Sequence, residues 1–250
     1  TVDDVDAIIV ATSTPDSAFP ATAVRMQGKL GVTRGFAFDI AAACTGFVYA
    51  LGVADGLVRA GQARGVLVVG TEVYSRILDW TDRGTCVLFG DGAGAVFLRA
   101  GAAEGQGLLS THMHSDGRHG DILAVDGGAG SSGGTGVVRM AGREVFKHAV
   151  SKLAAAVDEA LAANGLGHGD VAWLVPHQAN LRIIEAMGKK LHLPLERVVI
   201  TVDRHANTSA ASIPLALAEA TRDGRVKAGD LVLMEAIGGG LTWGAALARF

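Results

Sequence analysis

One of the two cysteines in this chain of 250 residues, Cys44, stands in a context that suits nucleophilic chemistry. It follows the strand-like run 35–40 and opens the apolar helical segment 45–60. Backbone N–H groups at a helix N-terminus stabilise a thiolate, so we expect a lowered pKa for the Cys44 thiol. Small neighbours, Ala41 to Ala43 and Gly46, leave room for a substrate. Cys44 is therefore the predicted nucleophile; the alternative is a cysteine that merely fills the core.

His177 and Asn207 occupy comparable places in the second half of the chain. His177 follows the apolar run 172–175, and Pro176 fixes the backbone just before it. Asn207 lies in the sequence HANTSAAS, whose small residues resemble the surroundings of Cys44. Asparagine is a favoured N-cap, so Asn207 could cap the following helix and also face a ligand. A lone histidine is more often structural than catalytic, and the case for His177 depends on an internal repeat.

The elements that would position these residues follow from the apolar pattern. Short apolar runs bounded by glycine or polar residues predict strands. They span 7–11, 35–40, 65–70, 94–99, 172–175, 198–202, 231–236 and 244–250. Helical spacing predicts helices over 45–60, 142–163, 181–192 and 208–222. Pro214 should kink the last of these helices. The alternation predicts an α/β fold with a parallel-rich sheet covered on both faces.

The two halves of the sequence match each other in four places, in the same order. AIIVAT matches AWLVPH, FDIAAAC matches VDRHAN, GVLVVGTE matches DLVLMEAI, and GAGAVFLRA matches WGAALARF. Such a repeat predicts a duplicated fold. The match pairs Cys44 with Asn207 and Thr12 with His177, so all four should lie at strand ends near one pseudo-twofold axis.

The glycine-rich stretch 127–136 divides the two halves. Its sequence, GGAGSSGGTG, cannot pack a core and predicts a surface loop. We therefore expect an N-terminal half over 1–126 and a C-terminal half over 137–250. The helix predicted over 142–163 has no counterpart in the first half, so we expect that an N-terminal segment of the duplicated unit is absent from this chain.

Composition argues against several classes of protein. With 49% hydrophobic and 19% charged residues, the chain is not of the disordered class, and its net charge of −3 does not fit a general nucleic-acid binder. No apolar run reaches the ~20 residues of a membrane span, and no signal peptide opens the sequence.

Two cysteines are too few for a disulfide framework and favour the cytoplasm. Four nearby side chains could bind a metal ion, but their spacing matches no recognised metal site, so no metal is predicted. These residues are His112, His114, Asp116 and His119.

Several motifs together resemble the β-ketoacyl-acyl carrier protein synthase III family, which are condensing enzymes of the thiolase superfamily. They are AAACTGF around Cys44, VPHQANLRII around His177, ANTSAAS around Asn207 and GGGLTWG near the end. The resemblance runs through essentially the whole chain and implies a thiolase-like duplicated αβαβα layered sandwich. It also implies an acyltransferase that condenses a short acyl-coenzyme A, with acetyl as the expected acyl group, with malonyl-acyl carrier protein. The 3-ketoacyl-acyl carrier protein product would initiate fatty acid synthesis.

The resemblance implies a role for individual residues. Cys44 would be acylated, His177 and Asn207 would donate hydrogen bonds to the malonyl thioester, and the N–H groups of Cys44 and Gly239 would hold the oxyanion. No metal or redox cofactor is implied, since the coenzyme A thioester is a substrate. Substrate and coenzyme A binding is implied for Arg83, Gly84, Leu88, Phe19, Met140, Gly142, Phe146, Ala179 and Asn180. Carrier-protein binding is implied for Gln178, Ala179, Asn180, Leu181, Arg182, Lys189 and Lys190, and Arg143 and Lys147 could extend the basic patch. Phe19 would cross a homodimer interface and close the acyl pocket of the other subunit.

The sequence also departs from the family and leaves more than one function open. Ala206 stands where the family usually has glycine before the asparagine, and the family's N-terminal segment, which contributes to the coenzyme A entrance, is not found. A thiolase would need a second cysteine in the C-terminal turn, where this chain has GGGLTWG. Two further functions fit the motifs. The chain could be a related ketosynthase of secondary metabolism that uses another starter, or a non-catalytic module for dimerisation or carrier-protein binding. The presence of all three reactive residues favours a catalyst.

Overall fold

The structure, a computed structural model, describes residues 1–101, 103, 105–128, 130, 131 and 133–250. Its strands are β1 (Ala7–Ala11), β2 (Phe36–Ile40), β3 (Gly65–Val73), β4 (Asp91–Arg99), β5 (Gly107–Ser115), β6 (Leu123–Val125), β7 (Val138–Met140), β8 (Trp173–Pro176), β9 (Leu231–Gly238) and β10 (Thr242–Arg249). Its α-helices are α1 (Thr22–Leu30), α2 (Gly46–Arg59), α3 (Gly142–Ala163), α4 (Leu181–Lys190), α5 (Val202–His205) and α6 (Ser212–Arg222).

The strands form two four-stranded sheets and one small hairpin. The first sheet has the order β2-β1-β3-β4, the second has the order β5-β10-β9-β8, and β6 pairs with β7. In the first sheet β1 runs parallel to β2 and β3, and β4 is antiparallel to β3. In the second, β8 is parallel to β9, and β10 is antiparallel to both β9 and β5. The sheets are therefore mixed: the first is rich in parallel pairs, as predicted, whereas the second is mostly antiparallel, so the prediction of a parallel-rich sheet is wrong for it.

The layers follow from which apolar residues meet. Helices α2 and α6 lie between the two sheets, and one core cluster joins Phe47 and Ile213 to Ile9 of the first sheet and Met234 of the second. Helices α3 and α4 cover the outer face of the second sheet. Helix α1 supplies Ala23 to the cluster on the outer face of the first sheet. This order of layers confirms the αβαβα sandwich.

The internal repeat holds at the level of strands. The pairing of β1 with β3 and of β3 with β4 recurs in the pairing of β8 with β9 and of β9 with β10. Strand β5 lies within residues 1–126, yet it completes the second sheet beside β10. The glycine-rich stretch 127–136 connects β6 to β7; Ala129 and Ser132 within it lie outside the described residues.

Two sequence predictions about elements are wrong. The run 198–202 is not a strand, because it makes only an isolated bridge between Leu174 and Val198. Pro214 does not kink a helix, because α6 begins at Ser212 after a separate short turn, Ser209–Ala211. Pro214 thus lies in the first helical turn, where a missing N–H costs no hydrogen bond.

The elements that the sequence did not predict include α1, the short helix α5, β5 and the β6–β7 hairpin. No helix in the described part of the chain combines the length and the apolar character that a membrane span requires.

Candidate active site

The backbone around Cys44 turns sharply between β2 and α2. Cys44 lies in a single helical turn, Ala43–Thr45, and Ala43 has a φ of +46°, a conformation that L residues seldom adopt. The Thr45 hydroxyl donates to Thr242 O at 3.0 Å, which ties the turn to the start of β10. A Cβ on Gly238 would lie 2.6 Å from the Cys44 nitrogen, so only glycine allows the end of β9 to approach the nucleophile this closely.

The Cys44 thiol is almost completely buried, with 3% of the residue exposed. Burial is the main reason that the pKa of the Cys44 thiol is raised; a hydrogen bond with the Ser209 side chain opposes the shift, the nearby Glu72 adds to it, and the resulting pKa is about 12. The lowered pKa expected from the helix N-terminus is therefore wrong. Cys44 is a protonated thiol at neutral pH.

His177 lies directly after β8, and the sheet fixes its backbone. Its N–H donates to Glu235 O at 2.8 Å, which continues the pairing of β8 with β9. Its Nδ1 atom lies 2.6 Å from the Ser212 hydroxyl at the start of α6. Burial lowers the pKa of His177 to about 3. The imidazole is thus neutral at physiological pH and carries one ring proton.

Asn207 is held by groups that define the orientation of its amide. The Ser209 N–H donates to Oδ1 at 2.9 Å, so this atom is the carbonyl oxygen. The Nδ2 group donates to Ala179 O at 3.4 Å. The residue before it, Ala206, has φ +57° and ψ −166°, a region that glycine occupies far more readily. The departure from glycine at this position therefore places backbone strain next to a site residue.

These contacts bring the three predicted residues into one site. Ser209 contacts both the Cys44 thiol and the Asn207 amide. Asn207 in turn reaches Ala179, whose N–H donates to His177 O at 2.9 Å. The turn that begins α6 thus connects all three side chains, as the pseudo-twofold repeat predicts.

A buried carboxylate, Glu72, lies beside this site at the end of β3. It accepts hydrogen bonds from the Thr14 hydroxyl at 2.7 Å and from the Ser13 N–H at 3.0 Å. Burial raises the pKa of Glu72, although its hydrogen bonds from Thr14, Ser13 and Ser209 oppose the shift. Sequence reasoning missed Glu72, Ser209 and Ser212. Glu72 could have been noticed, because it is a carboxylate within the apolar run GVLVVGTE.

The predicted binding residues are spread around the site. Leu88 lies next to Asn207, whose N–H donates to Leu88 O at 2.9 Å, and both Leu88 and Met140 pack against one apolar cluster. Gly142 and Phe146 lie in the exposed first part of α3. Arg83 and Gly84 are exposed, and Gly84 donates its N–H to Asp82 at 2.8 Å. Phe19 is 85% exposed. Gly239 follows Gly238 at the end of β9.

The expected carrier-protein residues fall into two groups. Leu181, Arg182, Lys189 and Lys190 are exposed on α4, and Arg143 and Lys147 are exposed on α3. Asn180 caps α4, since its Oδ1 accepts the Ile183 N–H at 3.1 Å. Gln178 does not fit the expectation. Its side chain is fully buried, and its amide bonds to four backbone groups of the chain itself, those of Pro176, Val199, Thr201 and Val202.

Within the described residues no cluster of three metal-ligating side chains occurs. His112 and His114, two of the residues with ligand chemistry, instead contact Glu159 of α3, at 3.1 and 2.6 Å. A cavity of about 1020 Å³ lies elsewhere, between β4, α2 and α6, and includes none of the three site residues.

Comparison with known families identifies both halves of the chain. The family described as 3-oxoacyl-[acyl-carrier-protein] synthase III matches residues 38–117, and its C-terminal counterpart matches residues 161–250. The chain is 70% identical over 249 residues to the beta-ketoacyl-[acyl-carrier-protein] synthase III of Acidiphilium cryptum, covering 99% of this chain and 78% of that protein. It is 66% identical over 252 residues to the protein of that name from Granulibacter bethesdensis, covering 100% of this chain and 78% of that protein.

Solved structures agree with these sequence matches. The 3-oxoacyl-[acyl-carrier-protein] synthase III of Aquifex aeolicus is 47% identical with a TM-score of 0.93, over 100% of this chain and 78% of that one. The enzyme of that name from Pseudomonas aeruginosa is 46% identical with a TM-score of 0.94, over 98% of this chain and 77% of that one. A priming beta-ketosynthase of a polyketide biosynthetic pathway is 36% identical with a TM-score of 0.91, over 100% of this chain and 76% of that one.

Proposed function

The chain belongs to the 3-oxoacyl-[acyl-carrier-protein] synthase III family, and we propose that Cys44, His177 and Asn207 are the residues that perform its reaction. Enzymes of this family are acyltransferases that start fatty acid synthesis by a condensation, and this chain is such a condensing enzyme. The observation that supports the residue assignment best is the meeting of a thiol, a neutral imidazole and an oriented amide around the turn that begins α6.

The first half-reaction is acylation of Cys44. Its sulfur attacks the thioester carbonyl of an acyl-coenzyme A, and the N–H groups of Cys44 and Gly239 hold the oxyanion of the tetrahedral intermediate. The C–S bond to coenzyme A then breaks, and the coenzyme A sulfur leaves with the proton that Cys44 gives up. Because Cys44 is protonated at rest, this proton must leave as the sulfur attacks.

The second half-reaction is decarboxylation and condensation. His177 and Asn207 donate hydrogen bonds to the thioester carbonyl of malonyl-acyl carrier protein and stabilise the enolate formed as CO2 leaves. The enolate carbon attacks the acyl-Cys44 carbonyl, and the Cys44 sulfur is expelled. A neutral imidazole suits this role, because it can donate a hydrogen bond without transferring its proton to the enolate.

We propose acetyl-coenzyme A as the starter and a homodimer as the working form. The exposed cations of α3 and α4 would contact the acidic carrier protein. The reaction needs no metal or redox cofactor, since every step uses a thiol, hydrogen-bond donors and the thioester. The two free cysteines support the cytoplasm as the compartment.

Two assays on three variants test the residue roles. Intact mass after incubation with acetyl-coenzyme A should show an acetyl adduct for the parent, His177→Ala and Asn207→Ala, and none for Cys44→Ala. Release of CO2 from malonyl-acyl carrier protein should fall about 10²-fold or more in His177→Ala and Asn207→Ala, since each loses a donor to the enolate oxygen. Decarboxylation at the parental rate in either variant would refute the role given to that residue.

A related ketosynthase that primes polyketide synthesis is the second candidate, supported by the similarity to one such structure. A panel of acyl-coenzyme A starters distinguishes the two. Preference for acetyl-coenzyme A supports fatty acid initiation, and preference for a longer or branched starter supports the polyketide-priming function.

A further inference from the structure

The tautomer of His177 is decided by the hydroxyl that contacts it. The Ser212 Oγ atom lies 2.6 Å from Nδ1, and both residues are buried. A neutral imidazole has one nitrogen that donates and one that accepts, and a serine hydroxyl can do either. The other hydrogen bonds of Ser212 therefore determine which nitrogen of His177 carries the proton.

A second contact of Ser212 resolves this choice. The backbone nitrogen of Gln178 lies 3.3 Å from the same Oγ atom. A backbone N–H can only donate, so it uses a lone pair of the hydroxyl and leaves the hydroxyl proton free to point at Nδ1. With Nδ1 as the acceptor, the ring proton resides on Nε2. In the opposite tautomer, Oγ would accept from both nitrogens, and the described residues offer its own proton no acceptor.

The donor from Gln178 is itself held in place. The side-chain oxygen of Gln178 accepts hydrogen bonds from the N–H groups of Thr201 and Val202 at 2.8 and 3.0 Å. The side-chain nitrogen of Gln178 donates to Val199 O at 3.0 Å. These bonds fix the peptide that follows His177. The Gln178 N–H therefore approaches Ser212 from a fixed direction.

We propose that Ser212 is a positioning residue that keeps His177 protonated at Nε2, with the Gln178 N–H directing the serine hydroxyl. The proposal rests on the proposed function, in which Nε2 must donate to the malonyl thioester. The same turn orients the other donor, because the Ser209 N–H fixes the Asn207 amide. Residues 209–212 thus set both hydrogen bonds to the enolate oxygen.

Kinetics of Ser212→Ala provide the first test. Its rate constant for malonyl decarboxylation should fall about 10- to 100-fold, because an oriented donor is lost in part, while KM stays within about twofold. Acetylation of Cys44 should be unchanged, and Ser212→Thr, which keeps the hydroxyl, should recover most of the rate. Thr208→Val is the matched control, since it removes a buried hydroxyl of the same segment whose oxygen has no hydrogen-bond partner among the described residues.

The imidazole ¹⁵N spectrum of the parent gives a test that does not depend on Ser212→Ala being folded. The His177 signals, assigned by their loss in His177→Ala, should show a protonated Nε2 and an unprotonated Nδ1. A proton on Nδ1, or an unchanged decarboxylation rate in Ser212→Ala, would overturn the role of Ser212 even if His177 is essential. An unimpaired His177→Ala would instead overturn the proposed function itself.

Discussion

At the scale of single residues, two opposing effects act on Cys44. The start of α2 favours the thiolate, but such a terminus contributes about 0.3–1 kcal/mol and at most about 2. Burial of a group can shift its pKa by up to about 3–5 units, which corresponds to several kcal/mol. Desolvation therefore outweighs the helix terminus, in agreement with a pKa of about 12 for the Cys44 thiol.

The alkylation of Cys44 should reflect this balance. A raised pKa means that the thiolate fraction is small at neutral pH and grows about tenfold with each pH unit up to the pKa. The rate of Cys44 modification by iodoacetamide, followed by peptide mass spectrometry, should therefore rise steadily from pH 7 to 10. A plateau between pH 7 and 9 would contradict the raised pKa, and Cys44→Ala identifies any signal that arises from Cys86.

Sequence reasoning selected the three residues to which we assign the reaction and missed those that orient them. Cys44, His177 and Asn207 stand out because their types are rare among small or apolar neighbours. Ser209 and Ser212 are ordinary serines in the string NTSAAS, and their importance arises only when the chain folds the turn against β3 and brings Ser212 to His177. Gln178 was misjudged for the same reason, since its amide faces inward.

At the scale of elements, the errors have identifiable physical causes. The β-branched run around Val199 looks like a strand, but the Gln178 side chain takes the backbone groups of Val199, Thr201 and Val202 that a ladder would use. Strand β5 escaped prediction because its side chains His112 and His114 are polar and contact Glu159 of α3. In both cases tertiary contacts overrode the local apolar pattern.

Strand β9 carries a buried group that should make stability depend on pH. Glu235 is buried, and its Oε2 atom has no hydrogen-bond partner among the described residues. Burial raises the pKa of Glu235 to about 8 from an ordinary value of 4.5. Between these two values the unfolded chain loses this proton and the folded chain keeps it. This group therefore makes the free energy of unfolding fall as pH rises, by about 1.4 kcal/mol per pH unit.

Glu235→Gln should remove that dependence. Relative to the parent, the variant should gain about 1.4 kcal/mol of stability for each pH unit between about 5 and 8, as measured by urea unfolding. Glu196→Gln, which changes an exposed glutamate, serves as the control and should leave the pH profile of the parent intact. Parallel profiles for the parent and Glu235→Gln would show that Glu235 is ionised in the folded protein.

At the scale of the whole molecule, the duplication explains why the candidate site could be predicted from the sequence. Equivalent strands of the two related halves end beside the turn that begins α6. Cys44 and His177, which are 133 positions apart in the sequence, therefore both lie next to that turn. The repeat could not predict β5, which completes the second sheet from within the first half of the sequence. Symmetry in the sequence thus predicted the shared core of the two halves and not the strand added to one of them.

The exposure of Phe19 bears on both the proposed starter and the proposed homodimer. The Phe19 ring is 85% exposed on the single chain, and a second subunit that received it would bury it. In the proposed homodimer the ring ends the acyl pocket of the partner and restricts the starter to a short chain. Sedimentation should accordingly show a dimer.

Phe19→Ala should open that pocket to longer starters. Each CH2 that the enlarged pocket accommodates contributes up to about 0.8 kcal/mol, or about fourfold in kcat/KM. In Phe19→Ala, the kcat/KM of longer acyl-coenzyme A starters should therefore approach that of acetyl-coenzyme A step by step with chain length. The control, Phe250→Ala, truncates a partly exposed ring at the C-terminus and should keep the parental preference for acetyl. If a dimeric Phe19→Ala kept the parental chain-length profile, the ring would not be the wall of the pocket, and the short starter would need another structural cause.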